Sequence, residues 1–465
     1  MWTSMIGVLV LGTLSLGGIN LYVSPNGDDA NPGTEQAPFA SIAHARDAVR
    51  AQRIAGKAAM VWLADGAYRL DAPVLFGAED GGADAQVVYR ATNPGGARIF
   101  GGDVLAPGAF VPVVDPAVIA RLPENARAEL RRFDLKAIGL TEFPALPDDF
   151  EGAVAMPELF FNDARMNLAR WPNEGWAEIE KVVESGPAPW RNHASDALGS
   201  FIAKDDRIAR WATAPAVWLE GYWCFDWACA TIRVESLDPA KRQVTLASQH
   251  VYGIGSGNKA ERRFRAINLL EELDEPGEYF LDRSDVSLYF WPPAPLDTAR
   301  VVLSRLSDPL LQLKDVSHFT LHGIIVENAA GAGIRVEGGT QVTLAGCTIR
   351  NTGQAGAQIV DGTQHRVQSC DIYDTGTGGL EISGGDRKTL TPCGHRVDNN
   401  HIHNISRRMR THAYNLHVAG VGIQMTHNLL TDAPHQGIGV GGNDHLFEKN
   451  EVARVGMASD DCGAY

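Results

Sequence analysis

Leu321-His322-Gly323-Ile324-Ile325-Val326, Leu344-Ala345-Gly346-Cys347-Thr348-Ile349 and Val367-Gln368-Ser369-Cys370-Asp371-Ile372 are three copies of one hexapeptide. Val397-Asp398-Asn399-Asn400-His401-Ile402, Met425-Thr426-His427-Asn428-Leu429-Leu430 and Phe447-Glu448-Lys449-Asn450-Glu451-Val452 are three more. The first and last residues are apolar in every copy, and the copies lie 23, 23, 30, 28 and 22 residues apart. A repeat of this period marks a solenoid. The apolar runs are too short for helices and rich in β-branched residues, so each turn of the solenoid is built of strands. Stacked turns of this kind make a parallel β-helix, whose flank offers a long groove. The fourth residue reads Ile, Cys, Cys, Asn, Asn, Asn down the series. Asparagines at one phase of successive turns can stack their amides. Asn400, Asn428 and Asn450 are therefore expected to be buried and bonded to neighbouring backbone, with Leu344, Val367, Val397, Met425 and Phe447 facing inward.

Working outward, residues 19–102 supply an N-terminal cap and the first rungs. The strand pieces are Leu21-Tyr22-Val23, Val61-Trp62-Leu63, Val87-Val88-Tyr89 and Ala97-Arg98-Ile99-Phe100, with a helix from Ile42 to Gln52 to cover the open end. Residues 103–300 break the period. They are rich in Pro and Trp and contain Leu288-Tyr289-Phe290-Trp291 before Pro292-Pro293, which suggests an inserted β domain of sandwich type. Residues 301–465 return to regular rungs. No cap follows the last one, so the reading expects a solenoid cut short at its C-terminus. Residues 1–18 are apolar and uncharged, which resembles a secretory signal without its basic start. A secreted or periplasmic location is expected.

The chain has 465 residues, 49 of them glycine, and a net charge of −15. An acidic balance argues against nucleic acid, whose phosphates need a basic face. It also favours a neutral substrate over an anionic polymer. No segment beyond the first eighteen is apolar enough for a membrane span. Six cysteines show no zinc spacing. Cys224 and Cys229 are close enough in sequence for a disulfide, which the sequence leaves open.

Leu21-Tyr22-Val23-Ser24-Pro25-Asn26-Gly27, Asn31-Pro32-Gly33-Thr34 and Leu63-Ala64-Asp65-Gly66-Ala67-Tyr68 resemble the opening of secreted carbohydrate-active β-helix proteins. Arg170-Trp171-Pro172-Asn173 and Glu275-Pro276-Gly277-Glu278-Tyr279 resemble the insertion of one subgroup. Asp432-Ala433-Pro434-His435, Gly442-Asn443-Asp444-His445 and Asp461-Cys462-Gly463-Ala464-Tyr465 carry the most specific likeness. Together these resemble glycoside hydrolase family 141. The resemblance implies an all-β, right-handed parallel β-helix with an inserted β-sandwich, and hydrolysis of plant-type polysaccharides. Members of that family continue past the Asp-x-Gly-Ala-Tyr segment with further acidic residues, which leaves open whether the second catalytic carboxylate lies beyond Tyr465.

Glycoside cleavage uses two carboxyl groups flanking the bond. Asp461 is the first candidate, with Asp444 and Glu451 next. His435, His445 and Asn443 are the candidates for holding sugar hydroxyls, since neutral imidazole can donate and accept near neutral pH. His435, His445 and Asp461 are expected to converge on one face. His401 and His403 alternate with Ile402 and are expected on the outer face of a strand. No histidine pair has the helical spacing of a zinc protease, so no metal or cofactor is expected. The expected partner is a polysaccharide or oligosaccharide, bound by a monomer. Two other readings stay open. One is a lyase or epimerase acting on uronate polymers, for which Arg407, Arg408 and Arg410 form a local basic cluster. The other is a glycan-binding module without turnover.

Overall fold

The computed structural model describes residues 18–52, 57–82, 85–144, 146, 153–255 and 262–465. The signal reading over residues 1–18 lies outside them except for its last position. Three parallel sheets run along a right-handed β-helix. The first sheet extends from Ile19–Val23 to Leu446–Glu448, and the second from Gly66–Arg69 to Glu451–Ala453. The third extends from Val74–Phe76 to Gln436–Asn443. Each rung visits the three sheets in that order.

The hexapeptide is the corner between the first and second sheets. Its second residue ends the first-sheet strand, and its first residues stack in the register Leu321, Leu344, Val367, Val397, Met425, Phe447. The first five of these are buried in one continuous core. Phe447 is only half-buried, as a correction to the inward stack, because no strand of the first sheet lies beyond its own. The third residue has a positive φ in every copy, at Gly323, Gly346, Ser369, Asn399, His427 and Lys449. Glycine adopts this conformation freely. Its four replacements bear a strain of roughly 1 kcal/mol each, so packing on either side imposes the bend.

The fourth residue shows why the bend is worth holding. Asn400 Nδ2 donates to Val367 O, Asn428 Nδ2 to Val397 O and Asn450 Nδ2 to Met425 O, at 3.0, 2.9 and 2.8 Å. Each therefore reaches the carbonyl of the rung before. Each Asn Oδ1 in turn accepts the backbone N–H of the rung before, from Cys370, Asn400 and Asn428 at 2.9, 3.1 and 3.0 Å. The cysteines do the donor half of this work. Cys347 Sγ lies 3.5 Å from Leu321 O, and Cys370 Sγ lies 3.5 Å from Leu344 O. Asn400 and Asn428 are buried, while Asn450 is half-exposed in the last rung.

The helix Ile42–Gln52 buries Ile42, Ala45 and Val49 against the first rung. Its start is fixed by Ser41 Oγ, which accepts from His44 N at 3.1 Å. Solenoid ends need such cover.

The insertion leaves after the second-sheet strand Ala97–Phe100, and the chain rejoins the solenoid at the third-sheet strand Leu311–Lys314. It therefore replaces one second-to-third-sheet corner. Strands Gly102–Leu105 and Val301–Ser304 pair antiparallel at its base. A four-stranded and a five-stranded sheet pack on a shared core that includes Leu105, Phe133, Phe161, Leu288 and Phe290. A further sheet, not separated in the sequence reading, closes on itself. Arg263–Ile267 pairs with both Ala177–Glu184 and Trp218–Tyr222 to complete an antiparallel barrel around Phe201, Trp211, Trp223 and Phe264.

Asn428→Leu removes bonds to Val397 O, Asn400 and Asn450, stranding buried backbone groups at about 1–3 kcal/mol each. Urea unfolding should show a loss of at least that size. Arg366→Ala, on the outer face of the first sheet, should change stability by less than about 0.5 kcal/mol.

Candidate functional site

Most links between the second and third sheets are short, as at residues 330–333, 353–356, 376–379 and 432–435. The link at 404–413 is longer, and it leaves the same edge of the solenoid as the insertion. The two meet there. Arg407, Arg408 and Arg410 from the long link join Glu158, Arg165, Arg170, Glu220, Arg265 and Tyr279 from the insertion around one pocket. Glu220 is held by Arg265 at 2.5 Å, and Glu158 lies 3.3 Å from Arg165. The Arg165 side chain is 5% exposed, and its Nη2 donates to Thr352 O and Asp374 O. Its Nε and Nη1 are buried without a hydrogen-bond partner among the described residues. Arginines outnumber carboxylates here although the whole chain is acidic.

The pocket continues over Ala153 and Met409 into a groove on the outer face of the third sheet. Alternate residues of each strand point outward, in the register Gln312, Arg335, Gln358, Glu381, His417, Gly439. Arg335 Nη1 donates to Gln358 Oε1 at 3.3 Å, and Gln358 Nε2 donates to Glu381 Oε2 at 2.8 Å. Among the described residues, the second oxygen of Glu381 has no hydrogen-bond partner. The Tyr414 ring stacks on His417 at 5.0 Å and 17°. It lies over Gly439, where a Cβ would fall 2.6–2.9 Å from ring atoms. Only glycine lets the ring lie flat along the floor.

Beside the groove the barrel carries an aromatic cluster. Phe225 and Trp227 stack at 5.0 Å and 12°, Tyr252 meets Trp227 edge-on at 5.1 Å, and the half-exposed Trp190 packs on Phe225 at 5.3 Å. Trp227 reaches His412 of the long link at 5.7 Å. Trp223, by contrast, lies in the barrel core. Sugar rings present apolar faces that such aromatics can cover.

His435 belongs to this corner. Its Nδ1 accepts from His412 N at 3.1 Å. A lone pair at Nδ1 leaves the proton on Nε2, which is buried and has no hydrogen-bond partner among the described residues. Burial, then His412, pulls its pKa down to about 4, and the Asp461 carboxylate opposes them. Asp461 is exposed with a positive φ. Asp461 and His435 are thus neighbours.

The other candidates lie elsewhere, as corrections to the expected convergence. Strand Gln436–Asn443 separates His435 from His445, and at ~3.3 Å per residue it carries them to opposite corners. His445 is a ladder residue. Its Nδ1 accepts from Ile423 N at 3.1 Å, just as His365 accepts from Val342 N and His395 from His365 N. The Nε2 of each lies 3.1–3.3 Å from a backbone carbonyl, at Gly338, Asp361 or Gly441. Asp444 is exposed and has the positive φ shared by His318, Gln341, Gln364, Gly394 and Gly422 at the equivalent position of other rungs. It serves the turn. Asn443 is exposed and accepts from Arg387 Nε at 3.4 Å. Glu451 is exposed on the second sheet, following Asp371, His401 and Leu429 in register. The three candidate carboxylates therefore occupy three different parts of the solenoid. Among the described residues, one group has metal-ligating geometry: Asp371, His401 and His403, also on the second sheet.

A family model described as a right handed beta helix region matches residues 309–454. No curated protein matches the chain. A solved structure titled "Glycoside hydrolase" is similar over 91% of this chain and 80% of its own, with a TM-score of 0.71 and 17% identity. A complex of XylC with xylose is similar over 94% of this chain and 62% of its own, at a TM-score of 0.48 and 11% identity. At 17% identity the likeness to the first of these is one of fold.

Burial holds His365 and His395 at a pKa of about 4, with His395 also lowering His365. His250 and His435 are lowered to about 4 as well. The unfolded chain therefore takes up protons first on acidification. Their contribution is complete above pH ~6.5 and is lost as pH falls towards 4. His395→Gln should flatten the fall in unfolding free energy between pH 6.5 and 4.5 by about one proton's worth. An unchanged slope would place the titration elsewhere.

Proposed function

We propose that this protein is a carbohydrate-active enzyme that cleaves glycosidic bonds by hydrolysis, with its glycan lying along the outer face of the third sheet. The observation that carries this reading is the groove itself. Glu381, a carboxylate with one oxygen unengaged among the described residues, shares its floor with the stacked Tyr414 and His417, beside an aromatic cluster that reaches His412. The fold likeness to a glycoside hydrolase spans both solenoid and insertion and supports the reading. In it, Glu381 gives or takes the proton at the glycosidic oxygen, and Gln358 fixes its orientation. Tyr414, Trp227 and His417 bind the sugar rings. Asp461, on the same corner as His435, is the second carboxylate such chemistry asks for. A soluble protein of the secreted or periplasmic compartment would meet such polymers.

Glu381→Gln keeps the shape and the bond to Gln358 but removes the titrating group. On a substrate identified from a glycan panel, it should lower kcat by about 10²–10⁴-fold with KM little changed. Asp461→Asn should also lower kcat. Full activity in Glu381→Gln would remove that residue from catalysis.

One observation favours a second reading. The arginines beside Glu158 suit a uronate carboxylate, and lyases neutralise that group before abstracting the neighbouring proton. Elimination leaves an unsaturated sugar that absorbs in the ultraviolet; hydrolysis leaves only a new reducing end. Absorbing product from a uronate polymer would replace the hydrolase reading with the lyase one.

A further inference from the structure

Strand His401–His403 lies in the second sheet, on the rung after Asp371–Thr375. Ile402 points into the core and is fully buried. His401 and His403 therefore point outward, as strand alternation requires. In register, Asp371 pairs with His401 and Tyr373 with His403. The two imidazoles stack at 3.9 Å and 19°, and Tyr373 stacks on His403 at 4.9 Å and 13°. Arg350 Nη1 donates to the Tyr373 hydroxyl at 3.0 Å. The rings are thus held before any ligand arrives.

Asp371 Oδ1 lies 3.1 Å from His403 Nε2 and 3.6 Å from His401 Nδ1. All three ligand atoms lie within 4.8 Å of one another. A tetrahedral zinc with bonds of 2.0–2.1 Å spaces its ligands about 3.4 Å apart. The observed separations bracket that value, so small rotations would let all three atoms face one ion. Among the described residues, no lysine or arginine is paired with Asp371. The nearby Arg454 is already clamped by Asp432, through Nε and Nη2 at 2.6 and 2.7 Å.

We propose that Asp371, His401 and His403 form a binding site for a divalent transition metal ion on the outer face of the second sheet. Two nitrogens and one carboxylate oxygen suit zinc, nickel or copper, whereas calcium and magnesium ask for oxygen alone. Strand placement with i and i+2 histidines presents both rings to one side, and the third ligand comes from the adjacent rung. Binding ties the two rungs together and leaves a fourth position open to water. The site is separate from the glycan groove, which lies on the third sheet, and does not depend on the hydrolase reading.

The test uses the untagged full chain, stripped with a chelator and titrated with zinc chloride by calorimetry. One equivalent should bind, and the same equivalent should raise the melting temperature. His403→Asn and Asp371→Asn should each weaken binding by more than the ~10–100-fold that loss of an outer-shell partner costs. Both variants should also lose the rise in melting temperature. His401→Gln provides a third variant should either of these fail to fold. His427→Asn, an exposed histidine paired with Asp398 at 2.9 Å, should bind as the wild type does. Absence of stoichiometric zinc binding, or wild-type affinity in the folded ligand variants, would overturn the proposal.

Discussion

Everything in this solenoid depends on the turn between its first and second sheets. The chain must reverse there within two residues, once per rung, at the ~4.8 Å spacing that parallel strands impose. The first of the two residues adopts a left-handed backbone, and the second sends its side chain inward. An inward polar group must find a partner or strand its hydrogen-bonding capacity. Asn400, Asn428 and Asn450 solve this by donating to one rung while accepting from the same rung's backbone. Cys347 and Cys370 keep the donor and lose the acceptor. Ile324, at the start of the series, has neither and sits in the apolar core. The column thus runs from apolar through thiol to amide along the axis.

A corner fixed this firmly leaves the others free to vary. The hexapeptide keeps its length in all six copies, while the second-to-third-sheet corner takes both the whole insertion and the longer link at 404–413. Those two elaborations are close in space because they leave the same edge. The arginine pocket, His412 and the aromatic cluster all arise from their meeting. The regular face contributes the floor, in which Gln358 and Glu381 hold equivalent positions on consecutive strands.

The rungs were legible because inward residues recur with the period, and Leu344 and Val397 can be matched by eye. Glu381 was legible in the same way, between Leu380 and Ile382 and 23 residues after Gln358, but an outward polar column attracts less notice than a motif. His445 shows the opposite error. Gln364-His365-Arg366-Val367, Gly394-His395-Arg396-Val397 and Asp444-His445-Leu446-Phe447 place histidine two residues before the same inward position. That phase marks a ladder, and it was available in the sequence. The arginine pocket was not. Arg165 and Arg408 are hundreds of residues apart, in segments without a period, and only the fold brings them to one pocket. The closed barrel was hidden likewise, since its closing pair, Trp218–Tyr222 with Arg263–Ile267, follows no hairpin signal.

Histidine shows how far the column decides the chemistry. At the third-to-first-sheet corner the ring lies within the wall, takes a backbone N–H on Nδ1 and must stay neutral. Protonating Nδ1 would set two donors against each other, so His365 and His395 are poor acids and bases and good struts. At the second-to-third-sheet corner His435 accepts in the same manner, but among the described residues its Nε2 meets no carbonyl, and a carboxylate stands nearby. On the outer sheet faces the ring owes nothing to the backbone. His417 lies under a tyrosine in the groove, and His401 and His403 converge on Asp371. Residue type alone cannot separate these roles. The position within the rung does so, because it determines whether a ring nitrogen faces a peptide group, a neighbouring side chain or water.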